Sequence, residues 1–179
     1  MALIGLLKSE DDLVTYFTQI SLLETWCRDS FLHLNVGKTK ELSIHDSTPS
    51  KDFLSVHLNN QSVESVSEFK YLGTYFDDRL SFEANVDHVV RKANQRMHLL
   101  RTLATFHVNP HILATVYKSL VESVLMFNCT AWFGNLTVKN KSRLTRIANQ
   151  AGRVIGMKQP SLDDQFMLAC SRKASSIIS

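Results

Sequence analysis

The chain has 179 residues, 44% of them hydrophobic, and a formal net charge of +3 at pH 7. This length suffices for one domain or two small ones with a packed core. Apolar residues recur periodically and never run past about 18 positions, so we expect no transmembrane helix. Residues 1–7 are apolar but lack a basic start, which argues against a signal peptide. The three cysteines are widely spaced and odd in number, which indicates reduced thiols in an intracellular protein without a zinc motif.

The charge is divided unevenly along the chain. Residues 1–90 hold 7 Lys and Arg against 14 Asp and Glu, whereas residues 91–179 hold 13 against 3. A basic half with so few acidic partners favours a polyanion such as nucleic acid on one surface. A solvated basic face without a partner is the alternative.

The first half of the chain predicts one long helix and several short strands. Ser9 can cap a helix whose first turn is acidic, and apolar residues then recur at helical spacing as far as Leu34. Residues 40–44 predict a strand, residues 45–52 a loop, and residues 56–58 and 63–75 short antiparallel strands. Trp26 and Trp132 lie inside apolar patterns and are predicted core residues.

The second half predicts helices only. An apolar stripe from Val86 to His107 predicts the first of them. Asn109 and Pro110 predict the start of the next, which reaches about Phe127 before a break at residues 131–135. A third helix runs from a Thr137 cap to about residue 155, and a weaker one covers residues 162–178. The fold class is therefore α+β and mainly α, with predicted domains at 1–80 and 81–179.

Two short boxes in a fixed order carry a family resemblance. Residues 34–42 read LNVGKTKEL and residues 69–74 read FKYLGT. Together with the helical stretch that follows, they resemble the palm end and thumb of a LINE-type (non-LTR retrotransposon) reverse transcriptase. Residues 1–7, MALIGLL, resemble the segment just after that family's Tyr-Ala-Asp-Asp catalytic box. The resemblance implies an incomplete palm followed by a thumb-like bundle of three or four helices, without the catalytic carboxylates.

Two features invite a catalytic interpretation. In the family that the chain resembles, the lysine matching Lys38 lies near the incoming nucleotide's phosphates, although an ordinary loop lysine is the alternative. Residues 75–78, YFDD, imitate the paired aspartates that hold two Mg²⁺ ions in nucleotidyl transfer. They stand after the FKYLGT box, where the family has a variable turn, so we interpret them as a turn and helix entry. We expect no catalytic residue, no metal and no cofactor.

A basic helix is the better functional candidate. Lys139, Arg143, Arg146 and Arg153 share one helical stripe with Gln150, opposite an apolar stripe of Leu144, Ala148, Ala151 and Ile155. Such a helix can follow phosphates without reading sequence. A second row is offered by Arg91, Lys92, Arg96 and Arg101.

Residues 91–103, RKANQRMHLLRTL, carry a second resemblance. They are similar to the short basic helix at the N-terminus of the vertebrate AlkB-type tRNA-modifying oxygenase–methyltransferase. That resemblance covers only about 40 residues, includes no iron ligands and no Gly-rich cofactor loop, and implies at most an RNA-associated helix.

The leading functional hypothesis is a catalytically inactive, reverse-transcriptase-derived fragment that binds RNA or DNA duplex without sequence preference. One alternative is a protein-interaction module that uses the incomplete palm surface. Another is an RNA-modifying family member, related through the AlkB-like helix, without the catalytic domains. An active enzyme using Asp77 and Asp78 is a further alternative. We expect no membrane partner.

Overall fold

The computed structural model describes residues 2–45 and 55–178. The fold is α+β and mainly helical, which confirms the predicted class. The chain divides into two compact units, Met1–Phe69 and Lys70–Ser179, whereas the sequence places the boundary near residue 80. The sequence predicts a loop at residues 45–52, and all of it except residue 45 lies outside the described residues.

Unit 1 begins with helix α1 (Glu10–Asp29). The Ser9 hydroxyl oxygen accepts a hydrogen bond from the Asp12 backbone N–H at 3.2 Å, and the Asp12 carboxylate accepts from the Ser9 N–H at 2.9 Å. This capping box confirms the predicted start of the helix. The end comes earlier than the predicted Leu34, because the chain turns away after Asp29 and Phe31 adopts a φ of 56°.

The apolar face of α1 is poorly covered within unit 1. Of its twenty residues only Ile20 and Cys27 are buried. Trp26 is 53% exposed, so its predicted place in the core is wrong. The reason is that the core of this unit is small: Ile20 packs there with Val56, Leu58 and Val63. A cluster of this size covers about one turn of helix and leaves Trp26 in solvent.

The strands are short and pair in twos. β1 (Lys40–Glu41) pairs with β4 (Glu64–Ser65), and β2 (His57–Leu58) pairs with β3 (Gln61–Ser62). The second pair is antiparallel, as predicted, but the first is parallel, which corrects the expectation of antiparallel strands only. A parallel pair needs a long connection, and β1 and β4 are far enough apart in sequence to provide one.

A hairpin precedes the helical part of the chain. Its strands are β5 (Glu68–Tyr71) and β6 (Thr74–Asp77), joined at Leu72 and Gly73. Gly73 has a φ of 89°, which a glycine adopts without strain. β6 packs on the following helix, since the Tyr75 N–H donates to the Asn85 side chain at 3.2 Å and Phe76 meets the Phe82 ring.

Unit 2 is a helical bundle. Its long members are α2 (Glu83–Ala104), α6 (Val138–Ile155) and α7 (Leu162–Ile178). Between α2 and α6 run α3 (Pro110–Tyr117), a π-helical segment (Lys118–Glu122), α4 (Ser123–Leu125), α5 (Cys129–Trp132) and a 3₁₀ turn (Phe133–Asn135). The predicted start at Asn109 is confirmed, because its side chain accepts from the His111 N–H at 2.9 Å.

The bundle encloses the main hydrophobic core. Trp132 is 1% exposed, as predicted, and lies there with Tyr117, Phe82, Phe133 and Met97. By length and composition, Pro110–Asn135 is apolar enough to cross a membrane. In this fold the same stretch supplies Leu113, Tyr117, Val121, Leu125 and Trp132 to the core.

We predict that Leu144→Ala destabilises the protein by about 2–5 kcal/mol, because it opens a cavity beneath α6. Leu144 is fully buried, whereas Val138 on the same helix is 82% exposed. Val138→Ala is therefore the matched control, with an expected change below about 0.5 kcal/mol. Urea unfolding of both variants measures the difference. Equal midpoints would show that α6 does not pack as described.

Candidate nucleic-acid interface

Helix α6 is built with one buried face and one basic face. Thr137 caps its start by accepting from the Asn140 N–H at 3.3 Å, and Gly156 ends it with a φ of 77°. The predicted apolar stripe is confirmed, since Leu144, Ala148, Ala151 and Ile155 are all buried, together with Ile147. Burial of this face directs the helix's cations outward.

Arg143 is held by the protein itself. Its guanidinium donates to the Asp87 carboxylate on α2 at 2.6 Å and to the Asn140 side chain at 3.1 Å. The side chain is partly buried between the two helices. Arg143 therefore ties α6 to α2 and offers less free charge than its position in the stripe predicts. Lys139 lies one turn earlier and is exposed.

Arg146 and Arg153 line an open groove of about 810 Å³ along α6. Within the described ranges neither arginine forms an ion pair. Lys141 also lines the groove, where it pairs with Asp163 of α7 at 3.2 Å and lies over the Phe133 ring. Asp163 itself lines the groove, and the remaining polar lining consists of Ser142, Thr145, Asn149 and Gln150. Among the described residues, the groove thus combines two guanidinium groups without an ion pair, one Lys–Asp pair and uncharged hydrogen-bonding side chains.

Arg101 connects helix α2 to this groove. Its guanidinium donates to the Gln150 side chain at 3.2 Å, and the residue is exposed. Gln150 itself lines the groove. The structure therefore brings Arg101 of α2 to the edge of the groove that Arg146 and Arg153 of α6 line.

The other predicted cations of α2 point in different directions. Arg96 donates to the Leu120 backbone carbonyl at 2.6 Å, within the π-helical segment, so it serves the protein's own backbone. Arg91 and Lys92 are exposed. Both lie near His88, because the Arg91 guanidinium is 3.4 Å from the His88 ring nitrogen and the charges of Arg91 and Lys92 both lower the pKa of His88.

Sequence reasoning missed a cluster beside Arg91. Lys70 of β5 lies over the Tyr75 ring of β6, 5.1 Å from its centroid, and the Tyr75 and His88 ring centroids are 5.2 Å apart. Desolvation lowers the pKa of His88, and the charges of Lys70, Arg91 and Lys92 lower it further. The sequence signal that could have found this cluster is the two-residue turn at Leu72 and Gly73, because such a hairpin turn places residues 70 and 75 opposite each other.

Asp77, the first aspartate of the pair in residues 75–78, has a structural role. Both Asp77 oxygens accept hydrogen bonds: Oδ1 from the Arg79 and Ser81 N–H groups, and Oδ2 from the Ser81 hydroxyl and, at 2.7 Å, the Phe82 N–H. Partial burial raises the pKa of Asp77, but these hydrogen bonds outweigh it and the net pKa lies below the ordinary value. Asp77 therefore stabilises the turn that leads into α2, in agreement with the interpretation of residues 75–78 as a turn and helix entry.

Lys38 lies in unit 1 on a 3₁₀ turn, Val36–Lys38, and is exposed. Its backbone N–H donates to the Asn35 side chain at 3.1 Å. In the part of the chain that the structure describes, no three His, Cys, Asp or Glu side chains come together as metal ligands. Lys38 is thus placed by a local cap, and its predicted proximity to phosphate stays a prediction.

Comparison with known proteins gives two matches of limited extent. Residues 82–123, which run from the start of α2 into α4, match the family described as alkylated DNA repair protein alkB homolog 8, N-terminal. A curated protein of Drosophila melanogaster, the probable RNA-directed DNA polymerase from transposon BS, is 28% identical over 138 residues. The chain is similar to part of a transposon polymerase. No solved structure matches it.

The extent of these matches limits what they show. The alignment covers 76% of this chain but only 15% of the transposon polymerase. The reverse-transcriptase resemblance is thus confirmed at the level of a transposon polymerase, while the LINE type and the thumb assignment are left to proposal. The predicted AlkB-like helix at residues 91–103 falls inside the matched segment.

We predict that Asp77→Asn lowers the free energy of unfolding by about 1–2 kcal/mol at pH 7, because charge-assisted hydrogen bonds are lost. The stabilisation from this carboxylate is present above the pKa of unfolded aspartate and is lost as pH falls through the lower folded pKa. The difference between wild type and variant therefore shrinks in acid, as chemical denaturation between pH 7 and pH 3 measures. Asp78→Asn is the matched control, and an equal effect there would contradict the role of Asp77.

Proposed function

We propose that this chain is a reverse-transcriptase-derived fragment that binds nucleic-acid duplex without sequence preference and does not catalyse polymerisation. The observation that carries the proposal is the α6 groove, in which Arg146 and Arg153 are unpaired among the described residues and Arg101 joins them through Gln150. Guanidinium groups bind phosphate oxygens through paired hydrogen bonds.

The charge distribution supports a phosphate backbone as the ligand. In residues 91–179 only three acidic residues accompany thirteen basic ones. Two of the three, Asp163 and Asp164, stand in the first turn of α7, where negative charge stabilises the helix. Phosphate contacts of this kind orient a duplex but carry no base-specific information, so binding is expected to be independent of sequence.

The similarity to a transposon polymerase supports duplex as the form of nucleic acid, with unit 2 in the role of a thumb. The proposed lack of catalysis rests on Asp77, whose oxygens are both occupied by the turn that leads into α2. A carboxylate satisfied in this way has less capacity to hold the pair of Mg²⁺ ions that nucleotidyl transfer uses.

We predict that the protein binds an RNA–DNA hybrid with a log–log salt slope between about −2 and −4, as a few phosphate contacts release counterions. Arg146→Ala/Arg153→Ala removes two of these contacts and should reduce the slope by about 1.8. Fluorescence anisotropy across a salt titration measures both values. The same hybrid, offered as primer and template with Mg²⁺ and deoxynucleotides, should not be extended.

Arg172→Ala/Lys173→Ala is the matched control, because it removes the same charge from exposed positions of α7 outside the groove. Its slope should stay close to that of the wild type. Arg143→Ala should change the slope less than the groove variant, since Asp87 already neutralises Arg143. Equal slopes for the groove and control variants would refute the groove as the binding surface, and primer extension would refute the lack of catalysis.

The second candidate function is a protein-interaction module in unit 1. It is favoured by large apolar side chains that α1 leaves exposed: Val14 at 66%, Leu22 at 56% and Trp26 at 53%. Apolar patches of this kind mark protein interfaces or aggregation sites.

We predict that the interaction candidate, if correct, gives a self-associating protein whose association weakens in Trp26→Gln. The variant removes exposed apolar area without touching the buried Ile20 and Cys27. Analytical ultracentrifugation over a tenfold concentration range measures the change, with Thr25→Gln as the control on the same helix. A wild-type protein that is monomeric throughout, with nucleic-acid binding intact, would count against this candidate.

A further inference from the structure

The hairpin and helix α2 together concentrate positive charge at one place in unit 2. Lys70 comes from β5, and His88, Arg91 and Lys92 come from the first half of α2. Tyr75 of β6 joins them: the Lys70 Nζ atom is 5.1 Å from its ring centroid, and the His88 ring centroid is 5.2 Å away. The Arg91 guanidinium contacts His88 Nδ1 at 3.4 Å.

The nearby carboxylates are turned to other partners. Asp87, next to His88 in the chain, pairs with Arg143 of α6 at 2.6 Å. Asp77, on the same strand as Tyr75, accepts hydrogen bonds from the turn that leads into α2. Within the described residues, Lys70, Arg91 and Lys92 form no ion pair. Like charges held together without a counter-charge repel one another, and a bound anion relieves that repulsion.

The cluster offers charge and hydrogen-bond donors rather than a surface for base stacking. The Tyr75 ring, its only aromatic group apart from the His88 imidazole, is already in contact with Lys70 and His88. A lysine supplies a point charge, and an arginine supplies a planar fork of donors that matches phosphate oxygens. These are the groups that recognise a phosphoryl group.

We propose that Lys70, His88, Arg91 and Lys92 form a phosphate-binding site, and that phosphate binding there is coupled to protonation of His88. The phosphate belongs either to a nucleic-acid backbone or to a free phosphate ion. None of the four residues lines the α6 groove, so the site extends the protein's anion-binding surface beyond the proposed duplex contact. Its occupancy by inorganic phosphate can be tested whether or not the groove binds a duplex.

The coupling follows from the charges that face His88. In the free protein, desolvation and three neighbouring cations disfavour the imidazolium and hold the pKa of His88 below its ordinary value. A bound phosphate reverses the local field and favours the imidazolium, which raises the pKa of His88. By linkage, phosphate affinity then increases as pH falls through the range between the free and bound pKa values.

The test is a titration of the His88 ring resonances by NMR between pH 5 and 8, at constant ionic strength. Chloride alone, inorganic phosphate and the RNA–DNA hybrid form the three arms. We expect either phosphate source to raise the pKa of His88 by about one pH unit relative to chloride. His111 lies in α3, and its ring serves as the reference for general ionic effects.

Three variants separate the effect of the site from that of the protein's overall charge. Lys70→Gln should raise the pKa of His88 in chloride, because one opposing cation is removed, and should reduce the shift that phosphate causes. Lys118→Gln removes the same charge from an exposed position in the π-helical segment and should leave both values unchanged. His88→Gln should remove the imidazole's contribution to the pH dependence of phosphate binding between pH 5.5 and 7.5, leaving only that of the phosphate's own second ionisation, while retaining binding at pH 8.

A response in the inorganic phosphate arm supports the site for any phosphate, and a response in the hybrid arm alone assigns it to a nucleic-acid backbone. If neither source moves the His88 titration, the proposed site is wrong. The proposed site is also wrong if Lys118→Gln reduces the phosphate-induced shift in the pKa of His88 as much as Lys70→Gln does. Failure of the duplex proposal has a different signature: the hybrid does not bind at low salt, while the inorganic phosphate arm still reports on His88.

Discussion

The packing of α6 against α2 is the constraint on which the second unit depends. α6 buries Leu144, Ile147, Ala148, Ala151 and Ile155, and α2 buries Val86, Val89, Ala93, Met97 and Leu100. Ala93, Ala148 and Ala151 belong to the same core as the large side chains of Trp132 and Phe133. Because one face of each helix is committed to this core, the cations of both helices lie at its edges or in solvent.

The protein then uses some of these cations for its own structure, while others form no ion pair within the described residues. Arg143 is neutralised by Asp87, and Arg96 serves a backbone carbonyl in the π-helical segment. Arg101 reaches Gln150 at the groove that Arg146 and Arg153 line, and the charges of Lys70, Arg91 and Lys92 act on His88. A simple count of positive charges would treat all of these residues alike. Their different partners decide which of them are engaged by other groups of the protein.

The first unit presents the opposite situation. Its core rests on Ile20, Val56, Leu58 and Val63, and most residues of α1 are exposed. Small cores of this kind contribute little free energy against the entropy of folding. The chain spans about 15% of the transposon polymerase that it resembles. Helix α1 therefore carries more apolar side chains than the small core of unit 1 covers.

The sequence by itself determined the fold class, the caps of α1, α3 and α6, and the buried face of α6. Ser9, Asn109 and Thr137 act locally on the first turn that follows them, and the apolar stripe of α6 expresses a helical period that needs no tertiary information. The turn role of Asp77 was also accessible, because hydrogen bonds to Arg79, Ser81 and Phe82 span only a few residues.

Only the tertiary structure decided which residues meet across elements. Residue spacing within one helix could not show that Asp87 would neutralise Arg143 or that Arg101 would reach Gln150. It also could not show that the charges of Lys70 and Arg91 would both act on His88. Periodicity also placed Trp26 on an apolar face, but the amount of apolar surface available to cover that face depends on the rest of the unit. Helical faces are set by local geometry, whereas burial and charge pairing are set by the neighbours that folding brings near.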